Sequence, residues 1–129
     1  MFLLTKSELE VMNVIWKAGK PVSRNDIISL SENKTWKDSS IHILLNGLLK
    51  KEAIREDGFV RCGKVFGRLF SPNISCEEYY AEEVFSAGGK ESIPALLSAL
   101  LRRDDLDDAL FDEMEEILKE KRKERNKTK

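Results

Sequence analysis

The chain has 129 residues, 41% of them hydrophobic, and a formal net charge of −1, which suits one small domain with a helical extension and excludes large catalytic architectures. No apolar run approaches the roughly 18 residues that a membrane-spanning helix needs. The start of the sequence lacks the basic and cleavage segments of a secretory signal, so we expect a cytoplasmic location and no membrane insertion.

The small net charge conceals a division between two parts of the chain. Residues 1–72 carry 12 lysines and arginines against 8 aspartates and glutamates, whereas residues 73–129 carry 10 against 15. Residues 77–116 are the most acidic stretch, and the final eleven residues are basic again. Because phosphate repels an acidic surface, we expect contacts with nucleic acid to come from the first part or from the very end.

Metal and cofactor chemistry find little support in the sequence. The two cysteines, Cys62 and Cys76, have no Cys-x-x-Cys spacing, and His42 is the single histidine, so both cysteines are interpreted as reduced thiols and no metal site is expected. There is no glycine-rich phosphate loop and no convergent pair of carboxylates. We therefore expect neither a cofactor nor an enzyme.

The first predicted helix runs from about Lys6 to Ala18. Thr5 followed by Glu8 is typical of a capping box, and apolar residues then recur at intervals of three and four. Gly19 suits the left-handed residue that ends a helix, and Pro21 cannot continue the backbone ladder. The tryptophans at the ends of helices, Trp16 and Trp36, are interpreted as packing residues of the core or a hinge.

Two more helices are predicted before residue 52. Ser23 is expected to cap a short second helix that reaches about Ser31. Its residues expected to point inward are Ile27, Ile28 and Leu30. The third helix begins near Lys37 or Asp38 and ends at about Lys51, with leucines and isoleucines on one face and polar residues on the other.

The pattern changes between Ile54 and Phe70, where glycines alternate with apolar and basic residues. This composition predicts two strands joined near Gly63 and Lys64. Three helices followed by a two-stranded hairpin are the outline of a winged helix-turn-helix head, a mostly α fold with a small β-hairpin, in the α+β class. A winged-helix DNA-binding domain is therefore predicted over residues 1–72; the same fold also serves protein–protein contacts, which is the alternative at this point.

The third helix and the hairpin carry the expected DNA contacts. A helix in the major groove presents small or hydrogen-bonding side chains outward, and cations of the hairpin suit phosphates or a minor groove. The expected contacts are Lys37, Ser39, Ser40, His42, Asn46, Arg61, Lys64 and Arg68. The simpler alternatives are that the two serines cap the helix and that the basic residues protect an exposed strand edge.

Three further helices are predicted over residues 73–129, at about Cys76 to Ser86, Ile93 to Arg102 and Leu106 to Glu124. Such short helices cannot bury their apolar stripes alone, which favours a helical dimerisation domain with a basic C-terminal tail; a ligand pocket is the alternative. The residues expected at the dimer interface are Tyr80, Val84, Leu96, Leu97, Leu100, Leu101, Leu106, Leu110, Phe111, Met114, Ile117 and Leu118.

The sequence also resembles a known family of regulators. The segments that carry the resemblance are Leu4 and Thr5, Glu8 to Trp16, Thr35 and Trp36, Ile41 to Lys51, and Gly67 to Pro72. In these segments the chain is similar to the family of the penicillinase, methicillin-resistance and copper-responsive repressors. The resemblance implies a homodimer that represses transcription at a palindromic operator in double-stranded DNA, with the C-terminal helices interlocking between two winged heads.

The third helix departs from the family pattern at two positions. Ile43 stands in the reading face where the family usually has threonine, so we add it to the expected DNA contacts. Gly47 stands where arginine is usual; glycine costs about 1 kcal/mol relative to alanine within a helix and removes a cation. We expect a shifted operator sequence or weaker binding. The alternative function is a protein-interaction adaptor that kept the winged fold and lost most or all DNA reading.

The family's inducing signals do not carry over directly. Copper-responsive members end in a cysteine cluster, which this sequence lacks, and β-lactam-responsive members are cut at an Asn-Phe bond where this chain has Ala99 and Leu100. A membrane sensor protease is the inducing partner that the resemblance implies, and it is an expectation here.

Overall fold

The structure is a computed structural model that describes residues 3–127, apart from the side chain of Cys62. The thiol of Cys62 and the last two residues of the basic tail lie outside the described part. Cys76 is a free, half-buried cysteine. The chain divides into two compact units, of which the first ends at Glu83 and the second begins at Val84.

Six α-helices and three strands are found over residues 3–127. The helices are α1 (Lys6–Ala18), α2 (Arg24–Leu30), α3 (Ile41–Lys50), α4 (Cys76–Gly88), α5 (Ile93–Leu101) and α6 (Asp108–Lys127). The strands are β1 (Val22–Ser23), β2 (Ile54–Cys62) and β3 (Val65–Pro72). Short 3-10 turns, Asp38–Ser40 and Lys90–Ser92, lead into α3 and α5.

The first unit is a winged helix-turn-helix, which confirms the predicted fold class. Its described strands form an antiparallel sheet in the order β1-β3-β2, with Cys62 opposite Val65 at the turn and a bulge between Glu56 and Phe59. The two-residue strand β1 was not predicted, because two residues carry no periodic pattern. It is defined by its antiparallel pairing with β3, in which Val22 lies opposite Phe70.

The predicted bounds of α1 are confirmed, and the capping box explains where the helix begins. The amide of Glu8 donates to the Thr5 hydroxyl (3.2 Å), and the amide of Thr5 donates to the Glu8 carboxylate (2.9 Å). Gly19 ends the helix at φ 65°. Ser23 caps α2 in the same reciprocal way with Asp26, a second capping box that the sequence analysis missed.

The core of the first unit lies where the inner faces of the three helices meet the base of the sheet. Its buried apolar residues are Val11, Met12, Ile15, Val22, Ile27, Trp36, Ile41, Leu45, Leu48, Ala53, Ile54 and Phe70. Trp36 is therefore a core residue, as predicted. Leu30 was wrongly expected to point inward; it is the last residue of α2 and is 54% exposed.

The first unit continues eleven residues beyond the boundary predicted after Pro72. The Trp16 indole N–H donates to the carbonyl oxygen of Ile74 (2.8 Å), and the Trp16 ring packs against Tyr79 and Tyr80, with ring centroids 5.7 and 6.4 Å away. These contacts join the start of α4 to α1. Tyr80, expected at a dimer interface, therefore also belongs to the head's own packing.

The second unit contains the end of α4, then α5 and α6. None of its described residues, 84–127, is buried. Helix α6 begins two residues later than predicted, because the Asp107 carboxylate accepts a hydrogen bond from the amide of Leu110 (2.9 Å) and caps it. Within residues 3–127, no helix combines the length and the apolar content needed to cross a bilayer.

A buried carboxylate links the first turn of α1 to the residue that follows α3. Glu8 is buried on α1, and the Lys51 ammonium, directly after α3, donates to its Oε1. Burial alone would raise the pKa of Glu8, but hydrogen bonds from Lys51 and Thr5 outweigh it, and the pKa lies below its ordinary value. The ionised form of Glu8 is thus the form that the folded head stabilises.

Replacement of Glu8 by glutamine tests this link. A carboxyl group whose pKa is lowered by folding contributes stability that is present above the unfolded-state pKa and is lost as the pH falls through the folded-state pKa. We expect Glu8→Gln to lower the free energy of unfolding at pH 7 by about 2 kcal/mol and to weaken its decline below about pH 5. Urea unfolding between pH 3 and 7 measures both effects.

The control is Glu32→Gln, which removes an exposed carboxylate from the same unit and should change the free energy of unfolding little. A Glu8→Gln variant as stable as the wild type at pH 7, with the same decline in acid, would contradict the assigned role of Glu8.

Candidate nucleic-acid interface

Helix α3 has a buried side and an outward side. Ile41, Leu45 and Leu48 anchor it in the core. The exposed residues on it are His42, Ile43, Asn46 and Lys50. Positions 39, 43, 46 and 50 recur at helical spacing and share one face, with Ile43 at its centre and 74% exposed. We call these four positions the outward face; the predicted contacts Ser39, Ile43 and Asn46 lie on it.

The turn into α3 holds the remaining predicted residues of this region. Lys37 and Ser39 are exposed and Ser40 is half-buried. Ser40 occupies the N-cap position of α3, as the alternative interpretation has it, but its side chain makes no capping hydrogen bond. A 3-10 turn closes this end instead, through the Ser40 amide and the Lys37 carbonyl (2.8 Å).

The loop before this turn is tied down from two sides. On α1, the Glu10 carboxylate accepts hydrogen bonds from the Thr35 hydroxyl (2.6 Å) and amide (2.9 Å), which lower the pKa of Glu10. Lys34 pairs with Asp38 (2.7 Å) and lies over the ring of Trp36. These contacts fix the direction in which the chain enters α3.

Arg24, which the sequence analysis did not select, belongs to this surface. Its guanidinium donates to Nε2 of His42 (2.5 Å), and because a guanidinium cannot accept, the proton of the neutral ring lies on Nδ1. Arg24 is the first residue of α2. A helix-turn-helix brings the start of α2 beside α3, and that geometry is the signal that would have identified it.

The hairpin presents aromatic and cationic side chains on one face. In the register of β2 and β3, Phe59 lies opposite Arg68 and Arg61 opposite Phe66, so these four side chains point to the same side. Both phenylalanines are exposed. The cations of this face were predicted from the sequence, and its aromatic rings were not.

The three predicted cations of the hairpin differ in their partners. Arg68 is half-buried, pairs with Glu56 (2.7 Å) and lies over the ring of Phe70 (5.2 Å). Arg61 is exposed and donates to the carbonyl oxygen of Gly63 (3.1 Å), and Lys64 is exposed at the turn. Arg61 and Lys64 are thus the more accessible cations.

A cleft of about 230 Å³ lies between α3 and the hairpin. Residues that line it include Arg24, Asn25, His42, Phe66 and Arg68. Side chains from α2, α3 and β3 therefore border one continuous surface, which brings together predicted contacts that are 26 positions apart in the sequence, such as His42 and Arg68.

Gly47 is half-buried on the side of α3 that approaches α1. The expectation that the missing cation shifts the operator sequence or weakens binding stays a prediction. A methyl carbon built on Gly47 would lie 2.6 Å from Oε2 of Glu8. The clash is with the far end of a flexible side chain, and the resembled family combines Glu8 with arginine at this position, so nothing in the structure explains the glycine.

An anchored helix with an exposed outward face, beside a hairpin with accessible cations, defines a winged-helix DNA-binding protein. The sequence profile of the family described as penicillinase repressor matches residues 4–120. The chain belongs to this family, as the resemblance implied, and is a DNA-binding transcriptional repressor rather than an enzyme.

Comparison with individual proteins agrees with this assignment. The penicillinase repressor of Bacillus licheniformis is 30% identical over 121 residues, which cover 91% of this chain and 90% of that protein. An uncharacterized 16.5 kDa protein in the ptsI 3' region of Latilactobacillus sakei is 36% identical over 80 residues, 62% of this chain and 50% of that one.

Two solved structures are also similar. The solution structure of the DNA-binding domain of the repressor BlaI is 36% identical and matches 59% of this chain and 87% of that one, with a TM-score of 0.43. That of the Bacillus licheniformis BlaI monomeric form in complex with the blaP half-operator is 35% identical and matches 60% and 89%, also with a TM-score of 0.43.

Replacing Gly47 by alanine tests the contact with Glu8. In an open helix this change raises the free energy of unfolding by about 1 kcal/mol. Here the added methyl group meets Oε2 of Glu8, the end of a flexible side chain whose Oε1 is held by Lys51 and Thr5, so we expect Gly47→Ala to raise it by less than this. Urea unfolding measures the change, with the exposed Asn46→Ala on the same helix as the control. Stabilisation by the full amount, about 1 kcal/mol, would show that the carboxylate moves aside freely.

Proposed function

We propose that the chain represses transcription as a homodimer on a palindromic operator, with α3 of each subunit in successive major grooves and the hairpins along the flanking backbone. The observation that carries this proposal is the outward face of α3. It is exposed, centred on Ile43 and lined by the short side chains of Ser39 and Asn46, while the opposite side is locked in the core. A helix in the major groove needs this division.

The distribution of cations supports the same placement. Lys37 precedes the outward face and Lys50 is its last residue, and Arg61 and Lys64 are exposed on the hairpin. Cations on both sides of a reading helix meet the phosphates that border the groove, and they set its register without reading sequence. We therefore propose all the DNA contacts expected from the sequence and add Arg24, which pairs with His42. Arg68 is less available to DNA than the other cations because it pairs with Glu56.

The homodimer is supported by the composition and exposure of the second unit. Its described residues include no buried one, although leucines crowd α5 and α6. The exposed members of the predicted interface are Tyr80, Leu96, Leu97, Leu100, Leu110, Ile117 and Leu118. The half-buried members are Val84, Leu101, Leu106, Phe111 and Met114. A second copy of the chain offers the same apolar stripes and would bury them, as a two-fold operator requires.

We propose a cytoplasmic location, as expected from the sequence, because a repressor acts where the DNA lies. The penicillinase repressor relative covers nearly the full length of the chain, which supports repression as the shared activity. A membrane sensor protease is proposed as the inducing partner on the family resemblance alone. The residues at the corresponding bond, Ala99 and Leu100, lie within α5.

Salt dependence of binding to duplex DNA tests the proposal. For a protein that neutralises phosphates, the logarithm of the binding constant falls linearly with the logarithm of the salt concentration, with a slope of about −0.9 per phosphate contact. We expect micromolar or tighter binding at low salt to an operator selected from random duplexes. Lys64→Ala should reduce the slope by about 2 for a dimer, whereas the control Lys17→Ala on α1 should leave it unchanged. Absence of binding at low salt would favour the adaptor.

Disruption of the second unit tests the homodimer. Because an aspartate on the apolar stripe of α6 cannot be buried unpaired, we expect Leu110→Asp or Met114→Asp to produce monomers by analytical ultracentrifugation. Operator affinity should fall more than ten-fold, since a single head loses the linked second contact. The control Glu113→Ala changes an exposed neighbour on the same helix and should stay dimeric. An intact Leu110→Asp dimer with unchanged affinity would exclude this interface.

A further inference from the structure

Ile43 is an apolar side chain at the centre of the outward face of α3. It is 74% exposed, whereas the other isoleucine and the leucines of the helix are buried or half-buried. A β-branched residue lowers helix propensity slightly, and an exposed one gains nothing from the core. The fold of the first unit therefore does not account for isoleucine at this position.

Gly47 leaves Ile43 uncovered. Side chains of an α-helix lean toward its N-terminus, so a long side chain at position 47 would lie over the turn that contains position 43. Glycine at position 47 has no side chain that could cover it. The two departures from the family pattern thus act together, since one supplies an apolar tip and the other keeps it accessible.

The major groove offers one apolar group to such a tip, the C5-methyl group of thymine; the other base edges there are hydrogen-bond donors and acceptors. We propose that Ile43 reads a thymine methyl group in each operator half-site. This inference rests on the proposed function, because it requires α3 in the major groove. Asn46, one turn further along the same face, has the amide that pairs in a bidentate way with adenine, so the half-site read by this face contains A·T pairs.

Deoxyuridine substitution isolates this contact, because it removes the methyl group and leaves base pairing intact. The operator is first selected from random duplexes with the full-length protein, and each thymine is then replaced in both half-sites. We expect one position at which the replacement weakens binding about four-fold per half-site, the value of one buried methylene-sized group. In Ile43→Ala the same replacement should have no effect.

The control variant is Leu30→Ala, which removes an exposed apolar side chain from α2 and should keep the full deoxyuridine penalty. Circular dichroism should show that Ile43→Ala folds normally, since the side chain packs on nothing in the core. If the operator is bound but no thymine position depends on residue 43, this inference fails and the proposed function stands. If no duplex is selected at all, both fail.

Discussion

The buried carboxylate of Glu8 is the interaction on which the arrangement of the head depends. It closes the capping box at the start of α1, accepts a hydrogen bond from Lys51 after the end of α3, and lies against Gly47 within α3. One side chain thus sets where α1 begins and how closely α3 approaches it. Burial of a charge is costly unless it is paired, so these partners act as a unit rather than independently.

The outward face follows from this anchoring. With Ile41, Leu45 and Leu48 in the core and Glu8 against Gly47, α3 has only one side left to present to a partner. The hairpin extends the same surface through the cleft that Arg24, His42 and Phe66 line. In the second unit, by contrast, none of the described residues 84–127 is buried, which is why we propose that reading and assembly belong to different parts of the chain.

Local signals made much of the fold predictable. Thr5, Glu8 and Gly19 define α1 because caps depend on a few neighbouring residues, and apolar spacing defines α3. Contacts between distant segments were not predictable: strand β1, the Arg24–His42 pair and the Trp16–Ile74 bond all depend on the tertiary arrangement. The pairing of Arg68 with Glu56 likewise required the strand register.

Amide chemical-shift mapping by NMR, with the isotope-labelled full-length protein titrated with its selected operator, tests the central claim most directly. We expect the largest changes to cluster in residues 37–50 and 59–68, around the outward face of α3 and the hairpin. Changes confined to residues 84–127, or to the side of α1 remote from α3, with the amides of α3 unaffected, would contradict it.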